Sequence, residues 1–323
     1  MKDWRNYIGL LISLGAVLII AAWPILTGKQ AAREVVFTML KAITLASSLN
    51  IILGYTGYVS FGNIVFFGIG GYFGFYLLSQ QDWSLWTALI AGGVTAGFIA
   101  FLLGKAILRL RGAYFALATI GVNMAFLALV KNLDIFGGPI GMTLNFKTYQ
   151  KYGGATQALQ LSFYIMLAVT LLTVFVSYLV KSSKFGLGLF AIREDEDAAE
   201  VMGIITPNAK TWAYVLSAIF PGIIGVLFFF KNGNIEPGDA FPLHSSIELL
   251  VMVMLGGYGT VLGPIIGAAG YQRMRGLLVT TPIFKNIQLV VAGVLLLIIV
   301  LFIPAGIVGW IRKRYPKTRS VLQ

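Results

Sequence analysis

The chain has 323 residues, of which 58% are hydrophobic and only 11% are charged, and its formal net charge is +12. Soluble globular domains carry about one quarter charged residues, so this composition excludes an ordinary soluble domain and indicates an integral membrane protein. The lack of cysteine excludes disulfides and thiolate metal sites, and a single histidine, His244, argues against a metal centre or a Ser-His-Asp triad.

Ten apolar runs are each read as a membrane-spanning helix, and none alternates as the strands of a membrane barrel do. They cover about 7–26, 35–54, 59–78, 84–104, 113–131, 159–180, 211–230, 244–257, 260–280 and 285–308. The first run follows charged residues, as in a secretory signal, but it lacks a small-x-small cleavage site and is therefore predicted to stay uncleaved. The sequence thus predicts an all-α polytopic protein, with one transmembrane domain over 1–323.

Basic residues orient these spans. The tail 309–323 contains RKRYPKTR directly after the last run, while Lys105, Arg109 and Lys184 follow two others. Such segments are usually cytoplasmic, which requires an even number of crossings between Lys184 and the tail. Two crossings broken at GGYGT meet this requirement better than one span over 244–280, so about ten spans with both termini cytoplasmic are expected. Orientation also explains the basic excess better than nucleic-acid binding does.

Glycine-rich stretches interrupt two of the runs. GYTGYVSFGN at 54–63 and GGYGTVLGP at 256–264 concentrate glycine near helix ends and predict broken helices. Backbone groups at such breaks must line a cavity or be buried in protein, and transporters often bind substrate there. The glycines assigned to these breaks are Gly54, Gly62, Gly256, Gly257 and Gly259. Elsewhere, glycines four residues apart predict close helix packing, namely Gly70 with Gly74, Gly93 with Gly97, and Gly263 with Gly267.

Side chains within the runs are almost all uncharged. The charged exceptions include Lys41 and Glu248, and both are long enough to extend to the membrane surface. Energy input by ion coupling is therefore not expected. The uncharged positions are candidates for the path of a small, net-neutral solute, with interhelical hydrogen bonding as the alternative role. They are Ser47, Asn50, Gly57, Ser60, Asn63 and Asn123.

The loop 181–210 contains what we call the acidic segment, FGLGLFAIREDEDAAEVMGI at 185–204, which carries five of the twelve acidic residues. Residues 191–202 lack Gly and Pro, so one short helix is predicted there, with Gly203 placed to end it. Ile192, Ala199 and Met202 are expected to share one face. A helix this short is marginal alone in water, so it is predicted to need a partner surface, with a solvated charge run as the alternative.

Energy must come from another subunit if ATP is used. GFIAFLLGKA has the wrong spacing for a phosphate-binding loop and ends in Ala rather than Ser or Thr. No cofactor or metal is therefore expected in this chain.

Four ordered motifs resemble the permease subunits of branched-chain amino acid ABC importers, the LivM-like group, which includes permeases for urea or short amides. These motifs are LNIILGYTGYVSFGNIVFFGIGGY at 49–72, RLRGAYFALATIGVNMAF at 109–126, the acidic segment, and SSIELLVMVMLGGYGTVLGPIIGA at 245–268. The resemblance implies a heterodimer with a second, related permease, served by two cytoplasmic ATPases that bind ATP and by an extracytoplasmic solute-binding protein. It implies a bacterial or archaeal plasma membrane. The family's ATPase-coupling motif matches Arg193, Glu194, Asp195, Glu196, Ala198, Ala199 and Gly203.

Two departures from the family pattern affect these expectations. Leu187 and Phe190 stand where basic residues are common, and Ile140 stands where Asn or Asp is frequent. The first departure bears on the ATPase contact and the second on the cargo. The favoured hypothesis is an importer of branched-chain or similar neutral amino acids. A urea or short-amide importer and a stand-alone channel or secondary carrier are the alternatives, and the outer loop 131–160 is either a contact of the binding protein or a solvated loop.

Overall fold

The computed structural model describes residues 4–280 and 306–314, together with positions 290, 293, 294 and 297. The helices before the acidic segment are α1 (Trp4–Thr27), α2 (Gln30–Thr56), α3 (Asn63–Ser79), α4 (Leu85–Ile107), α5 (Ala113–Lys131), α6 (Phe146–Gln150) and α7 (Ala155–Ser182). The acidic segment forms most of α8 (Lys184–Glu194) and all of α9 (Glu196–Val201). The helices after it are α10 (Thr206–Asn232), α11 (Pro237–Ala240), α12 (Leu243–Gly256), α13 (Leu262–Thr280) and α14 (Gly306–Arg314). A 3-10 turn covers Asp134–Phe136, and strands β1 (Met142–Thr143) and β2 (Asn234–Ile235) pair antiparallel.

The described helices confirm the all-α class and a multi-pass membrane protein. Seven helical stretches are long and apolar enough to cross a membrane, and Asn63–Ser79 is a shorter apolar helix. The predicted runs up to 280 correspond to α1–α5, α7, α10, α12 and α13. Most of the predicted last span, 285–308, and residues 315–323 of the tail lie outside the described residues. The count of ten spans and the cytoplasmic termini therefore stay predictions.

The chain divides into two compact units. The first unit contains residues 1–55, 170–187 and 247–323, and the second contains residues 56–169 and 188–246. The boundaries fall within α2, α7, α8 and α12, so each unit is built from separate stretches of sequence. One permease domain over 1–323, with the loop 181–210 and the tail 309–323 as parts of it, stays a prediction.

Glycines set the packing of α3, α4 and α10 in the second unit. A Cβ atom at Gly70 would lie 2.7 Å from Gly222 O, and one at Gly93 would lie 2.7 Å from Ile223 Cγ1. Any side chain at these positions would collide with the facing helix, so the backbones approach closely. The packing role predicted for Gly70 and Gly93 is confirmed.

In the first unit, α12 and α13 form a close helical pair joined by a short turn. A Cβ at Gly256 would lie 3.0 Å from Gly267 N, and one at Gly267 would collide with Met252 O. The turn holds Gly257 at φ +120° and Gly259 at φ +76°, conformations that glycine adopts without strain. The predicted break at GGYGT is confirmed, since two helices stand where one long helix was the alternative.

Glu248 of α12 corrects one expectation. Its side chain is buried, at 5% exposure, and Oε2 accepts a hydrogen bond from Arg275 Nη1 of α13 at 3.1 Å. The expected extension of this carboxylate to the membrane surface is therefore wrong. Burial is tolerated because the guanidinium of the neighbouring helix neutralises the charge.

Candidate functional site

The acidic segment folds as two helices rather than one. Asp195 stands between α8 and α9 at φ −159° and ψ 114°, and its Oδ1 accepts hydrogen bonds from the N–H groups of Asp197 (2.9 Å) and Ala198 (3.0 Å). The single helix predicted over 191–202 is therefore wrong, because the aspartate side chain caps the first turn of a new helix instead of continuing the old one. Gly203, at φ +89°, follows α9 as the predicted stop.

A buried lysine holds the acidic segment against the neighbouring helices. Lys210, near the start of α10, is 2% exposed, and its Nζ donates hydrogen bonds to Glu196 Oε1 (2.6 Å), Tyr58 OH (2.9 Å) and Leu108 O (2.9 Å). An ammonium group has three N–H donors, so each one has an acceptor, which offsets the cost of burying the charge. Tyr58 OH donates to Glu196 Oε2 at 2.6 Å. Both carboxylate oxygens of Glu196 are thereby fixed.

Arg111, which follows α4, adds a second cation. Its Nη2 and Nη1 donate to the two carboxylate oxygens of Asp197 at 2.8 and 3.2 Å, and its Nε lies 3.6 Å from Glu196 Oε2. We call Tyr58, Arg111, Glu196, Asp197 and Lys210 the anchor cluster.

Electrostatics favour the charged forms of Glu196, Asp197 and Arg111. Burial opposes ionisation of Glu196, but hydrogen bonds from Lys210 and Tyr58 and the nearby positive charges outweigh it, so the pKa of Glu196 lies below its ordinary value. The hydrogen-bonded Arg111 guanidinium likewise lowers the pKa of Asp197, and this pairing raises the pKa of Arg111. The segment is thus held by charge pairs and by the Tyr58 hydroxyl.

Other side chains of the acidic segment are turned to the outside. We call Glu194, Glu200, Val201 and Met202 the exposed strip. Val201 is 88% exposed and Met202 83%, whereas Ile192 and Ala199 are each 3% exposed. The predicted shared face is therefore right for Ile192 and Ala199 and wrong for Met202. The reason is that α9 begins anew after Asp195 and ends at Val201, which places Met202 at its C-cap.

Arg193 packs against the break between α2 and α3. Gly57 lies in this break at φ +78°, and a Cβ atom there would lie 3.2 Å from Arg193 Cγ. The arginine stem thus rests on the backbone of the break. Since α2 ends at Thr56 and α3 begins at Asn63, the break predicted from GYTGYVSFGN is confirmed.

A cavity of about 480 Å³ opens beside the anchor cluster, where α4 ends and α10 begins. Its lining includes Lys105, Arg109, Glu200 and Asn208 as well as members of the anchor cluster. Side chains of both charge signs line it. Such a cavity suits a charged or polar side chain of a partner better than an apolar one.

Asn50, a predicted path residue, joins two helix breaks within the first unit. Its Nδ2 donates to Thr260 O at 2.9 Å, and its Oδ1 accepts from Gly259 N at 2.9 Å. Lys181 Nζ donates to Gly259 O at 2.7 Å, and a Cβ at Gly54 would lie 2.6 Å from Gly259 N. These contacts are those of an interhelical cross-link, and a path role for Asn50 stays a prediction. Ser47 of the same helix is buried at 1% exposure, and its Oγ has no hydrogen-bond partner among the described residues.

The remaining polar candidates lie in the second unit, near the start of α3. Ser60 Oγ accepts from Gly62 N at 3.2 Å, and Thr119 Oγ1 of α5 accepts from Phe61 N at 3.1 Å. Asn123, one turn further along α5, donates from Nδ2 to Phe241 O at 3.2 Å. Asn63 opens α3 directly after these residues. The residues just before α3 therefore contact α5 at Thr119, and Asn123, one turn further along α5, contacts Phe241.

Only Glu196 of the anchor cluster is among the predicted site residues. The sequence analysis did not assign Tyr58, Arg111, Asp197 or Lys210 to a site. Lys210 and Tyr58 are separated by 152 positions, and no local spacing connects them. One sequence feature could have identified Lys210. It is a lysine within the first turns of a long apolar helix, directly after an acidic segment, and a lysine there needs an anionic partner.

The sequence of this chain is similar to those of known transport permeases. The family model described as branched-chain amino acid transport system / permease component matches residues 31–300. The high-affinity branched-chain amino acid transport system permease protein LivM of Salmonella typhimurium is 28% identical, over 93% of this chain and 75% of the relative. LivM of Escherichia coli gives the same identity and the same coverage. BraD of Pseudomonas aeruginosa, a permease of a system of the same description, is 29% identical over 45% of this chain and 47% of the relative.

Proposed function

Because the chain belongs to the branched-chain amino acid transport system permease family, we propose that it is the membrane subunit of an ATP-driven importer for branched-chain or similar neutral amino acids. The observation that carries this proposal is the family match over most of the chain. The acidic segment supports it, since a segment fixed by a buried charge pair and exposed on its other side suits contact with a separate motor.

The proposed assembly contains four kinds of chain. This chain pairs with a second, related permease, two cytoplasmic ATPases bind and hydrolyse ATP, and an extracytoplasmic protein delivers the solute. The membrane is the plasma membrane of a bacterium or an archaeon. The relatives named above are transport permeases, and the chain is proposed to carry solute rather than to catalyse a reaction.

The exposed strip is the proposed ATPase contact. Val201 and Met202 supply apolar area, and Glu194 and Glu200 supply charge at its edge. An apolar centre with a charged rim is the usual anatomy of a protein interface. Movement of an ATPase then reaches Gly57 through Arg193 and the anchor cluster through Glu196.

Met202→Asp tests this contact. Burying a new carboxylate in an apolar interface is unfavourable, so we expect ATPase binding to the solubilised permease pair to weaken about ten-fold or more. Ile140→Asp is the matched control, since Ile140 is 86% exposed and its loop joins the far end of α10, where Leu144 N bonds Gly233 O. ATPase binding that Met202→Asp leaves equal to the control would reject the exposed strip as the contact.

The cargo has one alternative. Urea and short amides are also small and neutral overall, and the polar side chains near α3 are uncharged. Calorimetry of the solute-binding protein separates the two cases. We expect leucine to bind and urea not to bind. Binding of urea without binding of leucine would identify the system as a urea or short-amide importer.

A further inference from the structure

The start of helix α3 lies beside α5, at a point within the length of that helix rather than at its first residue. Thr119, which bonds Phe61, is the seventh residue of α5, and Asn123 is the eleventh of its nineteen residues. At 1.5 Å per residue these side chains lie about 9 and 15 Å along α5, which is roughly 28 Å long. Helix α3 has 17 residues, about 25 Å, and the residue two positions before it, Phe61, contacts α5 at Thr119.

Helix α12 also begins at this level. Phe241, just before α12, accepts the hydrogen bond of Asn123, and Ser246 Oγ in the first turn of α12 donates to Phe61 O at 2.6 Å. Phe241 also lies against Gly68 of α3. Two helices of 17 and 14 residues therefore start near one place, about midway along α5.

The polar groups at this place are incompletely paired. Asn63 is 1% exposed, and neither its Nδ2 nor its Oδ1 has a hydrogen-bond partner among the described residues. Asn123 is 0% exposed, and its Oδ1 also lacks a partner there. The N-cap of α3, Gly62, supplies no side-chain oxygen to the first turn. Buried polar groups normally find partners, so these unpaired atoms are available to hydrogen-bond a polar guest.

We propose that the start of α3, with Asn63 and Asn123, is a transient binding site for the carboxylate and ammonium groups of an amino acid in transit. The N-terminus of a helix carries partial positive charge and free N–H donors, which favour a carboxylate. The Nδ2 of Asn63 adds a donor, and the unpaired Oδ1 of Asn123 is an acceptor for an ammonium group. The inference rests on the proposed function, since it names the part of the solute that this chain recognises.

Asn63→Asp is the direct test. The change places at the start of α3 the negative charge that the solute would bring, next to N–H groups that favour a carboxylate. In proteoliposomes holding the whole complex, we expect leucine uptake to fall about ten-fold or more, because the new carboxylate repels the carboxylate of the solute. ATPase stimulation by the binding protein is measured alongside, to show that the variant complex has assembled. Asn132→Asp, at an exposed asparagine at the C-cap of α5, is the matched control.

Asn63→Leu separates a site from a structural role. The change removes a buried carboxamide that has no partner in the described protein, so we expect unchanged or higher thermal stability together with reduced uptake. Unchanged uptake in Asn63→Asp, or lower stability with normal uptake in Asn63→Leu, would show that this place is only hydrated and would overturn the proposal. Absence of leucine uptake in the unmodified complex would instead reject the proposed cargo, so the two failures are distinguishable.

Discussion

At the scale of single residues, the anchor cluster explains why so many acidic side chains stand in one segment of a basic protein. Asp195 caps α9, Glu196 neutralises the buried Lys210, and Asp197 pairs with Arg111. Glu194 and Glu200 are exposed. The sequence predicts the acidic segment and its end at Gly203, but it assigns the whole charge run to one partner surface. Pairing with distant residues divides the charge run into buried or paired carboxylates and exposed ones. The spacing of residues along the sequence does not indicate such pairing.

The lowered pKa of Glu196 predicts a pH dependence of stability. A carboxyl group whose pKa is lower in the folded state adds stability at pH values above its ordinary 4.5, and this stability is lost as the pH falls through the lowered value. Thermal unfolding in detergent should therefore show the melting temperature of the unmodified chain falling as the pH is lowered below 4.5.

Glu196→Gln isolates this contribution. The amide still accepts a hydrogen bond but carries no charge, so Lys210 stays buried without its counter-ion. We expect the variant to lose about 1–3 kcal/mol of stability at neutral pH and to show a weaker decline in acid. Equal acid profiles for the two proteins would show that Glu196 does not supply the dependence.

At the scale of helices, glycine spacing is the part of the fold that the sequence predicts best. Glycines four residues apart define a close-packed face from local information alone, and the structure confirms this for Gly70, Gly93 and Gly267. The division of the acidic segment at Asp195 is not predicted, because an aspartate reads equally well as a surface residue of a continuous helix. Its capping role depends on the N–H groups it meets, which the sequence pattern leaves undetermined.

Gly267→Ala tests the close packing of α12 and α13. The added methyl group would meet Met252 O and lie 2.7 Å from Gly256 N, so the two backbones must separate. We expect a loss of about 2–3 kcal/mol in stability, measured as a lower melting temperature. Gly270→Ala on the same helix meets nothing within 4 Å and should be neutral or slightly stabilising. Similar melting temperatures for the two variants would argue against tight packing at Gly267.

At the scale of the whole molecule, composition and motif order indicate a multi-pass permease, and the helices and the family match support that assignment. The discontinuous units do not follow from the sequence, since the first unit joins residues 1–55 to residues 247–323 and no local pattern connects these stretches. The acidic segment is proposed to act only in an assembly, because the side chains of the exposed strip are open to a partner. The central proposal is therefore that transport depends on other subunits, because solute moves only when separate ATPases act on this chain.

The most direct measurement is accumulation of labelled leucine in proteoliposomes containing the permease pair, with and without the two ATPases, and with ATP or a non-hydrolysable analogue. We expect accumulation only when both ATPases, the binding protein and hydrolysable ATP are present. Leucine transport by the permease chains alone, or transport indifferent to ATP, would contradict the proposal and assign the chain to a channel or a secondary carrier.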